Sequence, residues 1–271
     1  MAVLVERRIS SAVVWSRRLA WFSGVLFVVA GASHRFGLLE TIPFLWVLAI
    51  IAILAATAVL LAAAGFSRIW SFGEPGARDA MFGGALGLAV LSPFLFAGYC
   101  VFAYPQLHDI STDPSDPPLL TLAARQRGPG MNTITGIDAE SAALQQERYP
   151  EVVSRRYDLP TERVQDIVDQ LVATRGWKPI GTSTRSEGDD PDAAAVTMEF
   201  LAGSPVVGFP SDVAIRLIEE DASTYVDMRS ASRYGRHDFG DNARRIEGFL
   251  GEMDKQVQLQ AGIAAPEATE Q

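Results

Sequence analysis

The chain contains very little cysteine and histidine, which limits the chemistry that it can carry. Its 271 residues include one cysteine, Cys100, and three histidines. A single thiol forms neither an intramolecular disulfide nor a cysteine-rich metal site. Because Cys100 lies in an apolar run, we expect it to be a small buried hydrophobic residue. The sequence therefore predicts neither a disulfide scaffold nor a cysteine-based metal centre.

The common motifs of nucleotide-binding and hydrolytic enzymes do not occur in the sequence either. It has no G-x-S-x-G nucleophile elbow, no Walker loop and no dinucleotide-binding fingerprint. The acidic turn that begins at Asp109 has Pro114 and Leu120 where a calcium-binding EF-hand needs glycine and glutamate. We therefore expect no cofactor and no metal, and we favour a role without catalysis over an enzymatic one.

Charge is distributed unevenly along the chain. Residues 1–103 carry seven arginines and four acidic residues, a formal charge of +3. Residues 104–271 carry sixteen basic and twenty-eight acidic residues, a formal charge of −12. The acidic second half argues against nucleic-acid binding, which needs a basic surface. This asymmetry indicates a membrane-embedded first half and a water-facing second half.

Three apolar segments in the first half are predicted to span a membrane. Residues 42–66 and 80–104 are each long enough to cross the hydrocarbon core. Residues 19–39 reach that length only if Arg35 extends towards the lipid head groups. A cleavable signal peptide, with a small-residue site at 30–32, is the alternative for this first segment. We favour an uncleaved helix, because no polar stretch precedes the next span.

The arginines near the spans predict the orientation of the chain. Four arginines precede the first span, and Arg68 and Arg78 lie between the second and the third. No further basic residue occurs until Arg125. The positive-inside rule then places the N-terminus and the loop at 68–79 in the cytoplasm. We therefore predict a protein of the bacterial inner membrane, with the lipid bilayer as a partner and a periplasmic C-terminal domain.

The second half is predicted to form a small α+β domain, in which helices pack on an antiparallel sheet. We expect this domain to cover residues 105–257, with a loop-rich beginning at 105–148 and a disordered tail at 258–271. Helical spacing predicts one helix from an N-cap at Thr161 to Gly176 and a last helix that Asp241 caps. Alternating residues predict strands at 196–201, 213–217 and 225–230, a turn at 187–192 and a hairpin connection at 218–224.

Residues 227–246 contain five arginines, although the chain as a whole is acidic. They cover the end of a predicted strand, a loop and the beginning of the last helix. Free N–H groups at a helix N-terminus attract anions, and arginine forks bind phosphate or carboxylate. An anion-binding or partner-binding site is therefore one hypothesis, and its candidate residues are Arg216, Arg229, Arg233, Arg236 and Arg244.

A structural network is the other hypothesis for these arginines, and we favour it. Asp227, Asp238, Asp241 and Asn242 lie among the arginines and can accept their hydrogen bonds. Arg216 would pair with Asp227 across neighbouring strands, and Asp241 would occupy the free donors of the last helix. Such a network would hold the loop, the sheet and the helix together.

Four stretches of the second half resemble the domain of unknown function 1499 family. They are "ISTDPSDPP" at 110–118, "GW" at 176–177, "FPSDVAIRL" at 209–217 and "VDMRSASRYGRHDFGDNARRI" at 226–246. The resemblance covers roughly residues 105–255. Members of the family occur in bacteria and plants, often behind membrane spans or targeting peptides, and the resemblance implies no known reaction. The family usually shows two acids before its V-x-I-R strand, where this chain has Ser211 and Asp212.

These observations favour a non-catalytic integral inner-membrane protein. Its periplasmic domain is expected to act as a binding or structural module, with an anionic envelope ligand or another envelope protein as its partner. One alternative is an envelope hydrolase that uses His237 and Asp238. Another is an accessory subunit whose three helices dock in a larger membrane complex.

Overall fold

The computed structural model describes residues 10–186 and 194–260. The chain divides into two compact units, Met1–Phe102, which we call the helical unit, and Ala103–Gln271, which we call the mixed unit. Three long apolar helices followed by an antiparallel sheet with helices confirm the predicted fold class. The predicted turn at 187–192 and residues 261–271 of the predicted tail lie outside the described residues.

The helical unit contains three helices, each long and apolar enough to cross a membrane. They are α1 (Ser11–Arg35), α2 (Thr41–Phe72) and α3 (Ala77–Ala103). The helix α1 begins eight residues before the predicted span at 19–39 and ends four residues before its predicted end. Its early end has a local cause, because Gly37 adopts a left-handed conformation with φ 73° and turns the chain towards α2.

Small residues bring the three helices close together. A Cβ atom on Gly65 of α2 would lie 2.5 Å from the Val13 side chain of α1. A Cβ atom on Gly87 of α3 would lie 2.9 Å from the Val59 side chain of α2. Helices that cross a membrane pack through such small residues, because lipid tails remove the hydrophobic driving force between them.

The mixed unit is built around one antiparallel sheet of six strands. Its strands are β1 (Asp109–Ser111), β2 (Arg155–Tyr157), β3 (Lys178–Ser186), β4 (Ala194–Gly203), β5 (Pro210–Glu220) and β6 (Ser223–Ser232). Its helices are α4 (Thr121–Gln126), α5 (Ala139–Arg148), α6 (Thr161–Arg175) and α7 (Asp241–Gln260). The strand order is β1-β6-β5-β4-β3, and β2 pairs with the other end of β6.

One face of the sheet carries the apolar core. Val213, Ile215 and Leu217 of β5 point to this face, as do Val226 and Met228 of β6, and all five are fully buried. The apolar stripes of α6 and α7 cover them, as the helical spacing in the sequence predicts. Burial of these side chains is the main favourable term for folding of the unit.

The opposite face of the sheet carries charged residues and is covered by the chain segment that precedes α5. We call residues 109–135 the lead-in. Leu120, which directly precedes α4, and Ala123 of α4 pack on Ala214 and Ala231 of the sheet in a small apolar cluster. Ile134 of the lead-in and Ile180 of β3 pack against this cluster. The lead-in also makes polar contacts with this face, and they form the candidate site.

Three local predictions differ from the structure. The β5–β6 pairing continues to Glu220 and Ser223, so the hairpin turn is shorter than the predicted connection at 218–224. Asp221 allows this tight turn by adopting φ 54°, which aspartate tolerates. Pro160 precedes the first residue of α6, and the Thr161 hydroxyl lies 3.1 Å from the Thr224 hydroxyl instead of capping the helix. The helix α7 includes residues 258–260, the first part of the predicted tail.

Candidate functional site

The arginine-rich segment at 227–246 covers the end of β6, a loop and the first turns of α7. Four of the five predicted site arginines lie in this segment, and the fifth, Arg216, lies on β5. The structure divides these five into two groups. Arg216, Arg229 and Arg233 are buried. Arg236 and Arg244 are exposed. The two groups have different partners.

Arg216 is held between two carboxylates. It lies directly opposite Asp227 in the β5–β6 register, and its Nη2 atom donates to Asp227 Oδ2 over 2.7 Å. Its Nη1 atom donates to Asp116 Oδ2 over 2.6 Å. Burial alone would lower the pKa of Arg216, but the hydrogen bonds to Asp227 and Asp116 raise it above its ordinary value. The pair expected from strand alternation is therefore present, and Asp116 of the lead-in joins it.

Arg229 connects β6 to three points of the chain that crosses the sheet. Its side chain is 2% exposed, and its Nε and Nη2 atoms donate to the two Asp109 oxygens over 2.9 Å and 2.7 Å. It also donates to the carbonyl oxygens of Thr135 over 2.6 Å and Pro118 over 3.3 Å. This two-pronged contact uses the planar geometry of guanidinium, which lysine could not reproduce.

Asp212 lies between two arginines and is fully buried. Its Oδ1 atom accepts from Arg233 Nε over 2.9 Å, and its Oδ2 atom accepts from Arg127 Nε over 2.8 Å. Arg127 also donates to the carbonyl oxygens of Asn132 over 2.7 Å and Ala231 over 3.0 Å. A single β5 carboxylate therefore holds one arginine of the lead-in and one arginine of the loop after β6.

These ion pairs fasten the lead-in to the charged face of the sheet. We call them the arginine network, whose members are Arg127, Arg216, Arg229, Arg233, Asp109, Asp116, Asp212 and Asp227. Each buried guanidinium faces at least one carboxylate of the same chain. The network can therefore organise the fold, and it leaves these arginines few donors for an external anion.

Glu199 makes a further polar connection to the lead-in. Its side chain lies on β4 and is fully buried. Its carboxylate accepts the backbone N–H groups of Leu122 over 3.0 Å and Ala123 over 2.7 Å, and the Thr121 hydroxyl over 3.2 Å. A carboxylate at the first turn of a helix satisfies donors that have no partner within the helix. Glu199 therefore holds the beginning of α4 against the sheet.

The first turn of α7 is capped by Asp238, and the prediction of Asp241 as the cap is wrong. The Asp238 carboxylate accepts the backbone N–H groups of Gly240 and Asn242, each over 2.9 Å. Phe239 and Gly240 have φ 55° and 75°, which turn the chain so that Asp238 faces these donors. Burial raises the pKa of Asp238, and the two N–H groups partly offset this effect. Asp241 instead forms an ion pair with Arg245 one turn later.

Asn242 connects α7 to β6 and is fully buried. Its Oδ1 atom accepts from the Ser230 hydroxyl over 2.8 Å and from Arg245 over 2.7 Å. Its Nδ2 atom donates to the His108 carbonyl and the Ser232 hydroxyl, each over 3.0 Å. All four hydrogen-bonding positions of the amide are satisfied, which is the condition for burying such a group without a large penalty.

His237 holds the chain near Tyr104. Its Nδ1 atom accepts the Phe239 N–H over 3.0 Å, so its Nε2 atom carries the proton and donates to the Tyr104 carbonyl over 3.1 Å. The Arg244 guanidinium lies 5.3 Å from the centre of the Tyr104 ring. A Cβ atom on Gly240 would lie 2.8 Å from this ring, so only glycine permits the contact. Both ring nitrogens of His237 are therefore engaged by the backbone.

Arg236 and Arg244 keep donors that face solvent. Within residues 10–186 and 194–260, no hydrogen bond or ion pair is made by the Arg236 guanidinium. Arg244 donates to the Phe239 carbonyl over 3.0 Å and otherwise contacts the Tyr104 ring. The predicted five-arginine site is therefore not one cluster, and these two residues are the part of it that can reach an external ligand.

A separate cleft of about 730 Å³ lies between the lead-in, α5 and the residues that follow α5. Its lining residues include Pro114, Ala142, Tyr149, Pro150 and Val153, and no charged side chain contributes to it. Its volume is within the range of small-molecule sites. The Tyr149 hydroxyl is buried and has no hydrogen-bond partner among the described residues. Burial and the nearby Asp238 charge raise the pKa of Tyr149 to about 12.

The acidic turn of the lead-in also has structural partners. Asp109 and Asp116 face arginines of the network, and Asp113 accepts the Ser115 hydroxyl over 2.5 Å. Among the described residues, no group of three or more histidine, cysteine, aspartate or glutamate side chains is arranged to hold a metal ion. Asp109 and Asp116 therefore belong to the arginine network, and Asp113 stabilises the turn itself.

Sequence reasoning missed three residues that fasten the lead-in to the charged face of the sheet, namely Arg127, Asp212 and Glu199. Arg127 and Asp212 are 85 positions apart, and Glu199 is 76 positions from Ala123, so no local pattern connects them. The available signal is the alternation of the strands, which places Asp212 on the same face as Arg216. Extending that alternation to β4 would have placed Glu199 beside them.

Comparison with known proteins identifies the family of the mixed unit. The family described as "Protein of unknown function (DUF1499)" matches residues 109–253, which is more than half of the chain. This range begins at Asp109 of the arginine network and contains α7 through Met253. No curated protein and no solved structure matches the chain. On the strength of the family match, the chain belongs to the DUF1499 family of proteins of unknown function.

Proposed function

We propose that this chain is a membrane-anchored protein whose mixed unit works as a binding or structural module, without catalysis. The arginine network is the observation that carries this proposal. It uses buried charges, with Arg229 and Asp212 at its centre, to fix the lead-in on the sheet. A rigid platform of this kind suits presentation of a fixed surface to a partner.

The two residues that a hydrolase would need are engaged in holding the backbone. His237 uses both ring nitrogens on Phe239 and Tyr104, and Asp238 caps α7. A general base needs a free nitrogen or oxygen within reach of the proton that it removes. This geometry supports a module over the alternative of an envelope hydrolase.

The binding surface of the module is proposed to include Arg236 and Arg244. Both are exposed. Arg244 lies over the Tyr104 ring at the beginning of α7, and Arg236 directly precedes His237, whose ring donates to the Tyr104 carbonyl. Their free donors suit an anionic envelope ligand or an acidic surface on another envelope protein. The proposal therefore assigns anion binding to two of the five predicted arginines, and it assigns Arg216, Arg229 and Arg233 to the structural network.

The proposal for location is the bacterial inner membrane, with the N-terminus in the cytoplasm and the mixed unit in the periplasm. The positive charges near the ends of the helices support it. Arg17 and Arg18 lie near the beginning of α1, Arg68 near the end of α2 and Arg78 in the first turn of α3. Alkaline phosphatase fused to the C-terminus should be active, and a green fluorescent protein fused there after the usual export route should be dark. The reverse result would overturn the proposed orientation.

Anion binding can be tested on the full chain in detergent micelles with inorganic phosphate as the probe. The double variant Arg236→Gln, Arg244→Gln should bind phosphate at least about tenfold more weakly in isothermal titration, because two charge-assisted contacts are lost. Arg125→Gln, Arg163→Gln is the matched control, since both arginines are exposed and lie elsewhere in the mixed unit. Equal affinity of the two double variants would reject the binding surface. Stable copurification of other membrane proteins would instead favour an accessory subunit.

A further inference from the structure

A second cleft, in the helical unit, has the composition of a lipid head-group site. It has a volume of about 680 Å³ and lies between the first turns of α1 and the beginning of α3. Two arginines, one aspartate and two aromatic residues line it, namely Arg17, Arg78, Asp79, Trp21 and Phe82. None of these residues belongs to the mixed unit, so the cleft is independent of the function proposed above.

The cleft lies beside a close contact between two helices. A Cβ atom on Gly83 of α3 would lie 2.3 Å from the Ser16 hydroxyl oxygen and 2.9 Å from the Arg17 backbone nitrogen. The Ser16 hydroxyl is fixed in turn, because it donates to the Ala58 carbonyl of α2 over 2.8 Å. The three helices are therefore in direct contact beside the cleft. The cleft is already formed without a ligand.

The charges of the cleft favour an anion. Arg17 donates to Asp79 over 2.8 Å, but its side chain remains 53% exposed and keeps further donors. Within the part of the chain that the structure describes, the Arg78 guanidinium has no hydrogen-bond or ion-pair partner, and Arg78 is exposed. The first turn of α3 contributes backbone N–H groups at the same place, where helix geometry leaves them unpaired. Two guanidinium groups against one carboxylate leave a net positive charge.

The aromatic residues favour a ligand that is partly apolar. The rings of Trp21 and Phe82 lie 5.9 Å apart, and the two residues are 52% and 44% exposed. They stand near the ends of two helices that are suited to cross a membrane, where tryptophan commonly lies among lipid head groups. A soluble phosphate would gain nothing from these rings, whereas the glycerol and upper acyl region of a lipid would pack against them.

We propose that this cleft binds the phosphate of an anionic phospholipid. Arg17 and Arg78 contact the phosphate oxygens, and Trp21 and Phe82 contact the glycerol and the upper part of the acyl chains. Basic clefts between membrane helices recognise lipid head groups in this way. The role of Asp79 is to orient Arg17, because their ion pair fixes one edge of the guanidinium and directs the other edge into the cleft.

Lipid titration of the full chain, followed by native mass spectrometry from detergent micelles, tests this proposal. Phosphatidylglycerol should bind at least about tenfold more tightly than phosphatidylcholine with the same acyl chains. Arg78→Gln should weaken phosphatidylglycerol binding about fivefold, as expected for the loss of one arginine near lipid phosphate. Arg18→Gln is the matched control, because Arg18 is exposed at the same end of α1, lies against Trp15 and does not line the cleft.

Each outcome of this experiment decides the proposal. Weaker binding in Arg78→Gln with unchanged binding in Arg18→Gln supports a specific site. Equal losses in both variants would show diffuse surface attraction and reject the cleft. Displacement of the lipid by inorganic phosphate at similar concentration would also reject it, since the aromatic contacts would then contribute nothing. Helical circular dichroism of each variant verifies the fold, and Trp21→Leu gives a second arm in which lipid affinity should fall while the charge is unchanged.

Discussion

The helical unit and the mixed unit bring their elements together in opposite ways. In the helical unit, glycines such as Gly65 and Gly83 let helix backbones approach, and large apolar side chains such as Trp70 and Phe102 are left exposed. In the mixed unit, apolar side chains are gathered in a core on one face of the sheet, and buried ion pairs fasten the other face. Close packing through small residues suits helices in lipid, and an apolar core with buried ion pairs suits a unit in water.

The difference shows which residues define a single arrangement of the elements in each unit. Apolar contact gives little preference for one helix arrangement in lipid, so the steric fit of small residues has to define it. In water, apolar burial drives collapse, but it does not by itself decide where the loop-rich lead-in lies. There the arginine network provides directional contacts, with Asp109 and Asp116 as fixed points along the lead-in.

The largest effect that we predict comes from removing the carboxylate at the centre of the network. Asp212→Ala leaves Arg127 and Arg233 buried without a counter-charge, so it should lower the free energy of unfolding of the mixed unit by about 3–5 kcal/mol. Urea unfolding of the full chain in detergent, followed by Trp177 emission with the other four tryptophans replaced by phenylalanine, measures this change.

The control for this prediction is an exposed member of the same network. The Asp116 side chain is 56% exposed, so Asp116→Ala should cost less than about 1 kcal/mol. Equal costs for the two variants would contradict the view that burial gives the network its strength. Buried ion pairs would then no longer distinguish the mixed unit from the helical unit.

A smaller effect is expected from enlarging a small residue between membrane helices. Gly83→Ala places a methyl group against the Ser16 hydroxyl and the Arg17 backbone, and it should destabilise the helical unit by about 1–3 kcal/mol. Gly98→Ala in the same helix has open space around its new methyl group, so it should be neutral or slightly stabilising. Unfolding by sodium dodecyl sulfate, followed by helical circular dichroism, compares them. Equal stability of both variants would refute packing through small residues.

The smallest effect concerns two tyrosines of the mixed unit that differ in one hydrogen bond. The Tyr157 hydroxyl donates to Asp254 over 2.7 Å, whereas the buried Tyr149 hydroxyl has no partner among the described residues. Tyr157→Phe should therefore cost about 1 kcal/mol, and Tyr149→Phe should be neutral or stabilising. The urea experiment described above separates them, and a larger loss in Tyr149→Phe would contradict the assignment of its hydroxyl.

The stability of the mixed unit is also expected to fall at alkaline pH, because of these two tyrosines. Burial raises the pKa of both phenols, that of Tyr149 to about 12. A tyrosine in the unfolded chain ionises near pH 10, so above this pH the unfolded state releases protons first and the folded state loses stability. The loss should continue until the pH exceeds the raised pKa. Tyr149→Phe should make this decline shallower, and an unchanged slope would show that Tyr149 ionises normally in the folded chain.

Patterns with a short period predicted much of the fold. The alternation of Val226 and Met228 with Asp227 and Arg229 identified the core face of β6, and the spacing in α7 identified its buried stripe. These signals are strong because one periodic face is buried and the other is not. The pairing of Arg216 with Asp227 followed from the same alternation.

Features that depend on distant partners could not be predicted in this way. The lead-in has turn residues typical of a loop, yet it contains β1 and α4, which are stabilised by contacts with β6 and β4. The capping role of Asp238 depends on the left-handed conformations of Phe239 and Gly240, which aspartate spacing does not reveal. The division of the arginines into buried and exposed groups depends on where the lead-in lies, and no local pattern encodes that position.

The arginine network also has a consequence for the time at which the mixed unit can be completed. Asp109 is joined to Arg229 across 120 positions, and Asp116 to Arg216 across 100. At ordinary rates of translation, a ribosome needs on the order of ten seconds between the first and the last of these residues. During that interval the early carboxylates have no counter-charge, and β6 does not yet exist as a template. A nascent chain that ended before Arg229 would therefore contain the stretch at 110–118 without the strand β6 to which the lead-in is fastened.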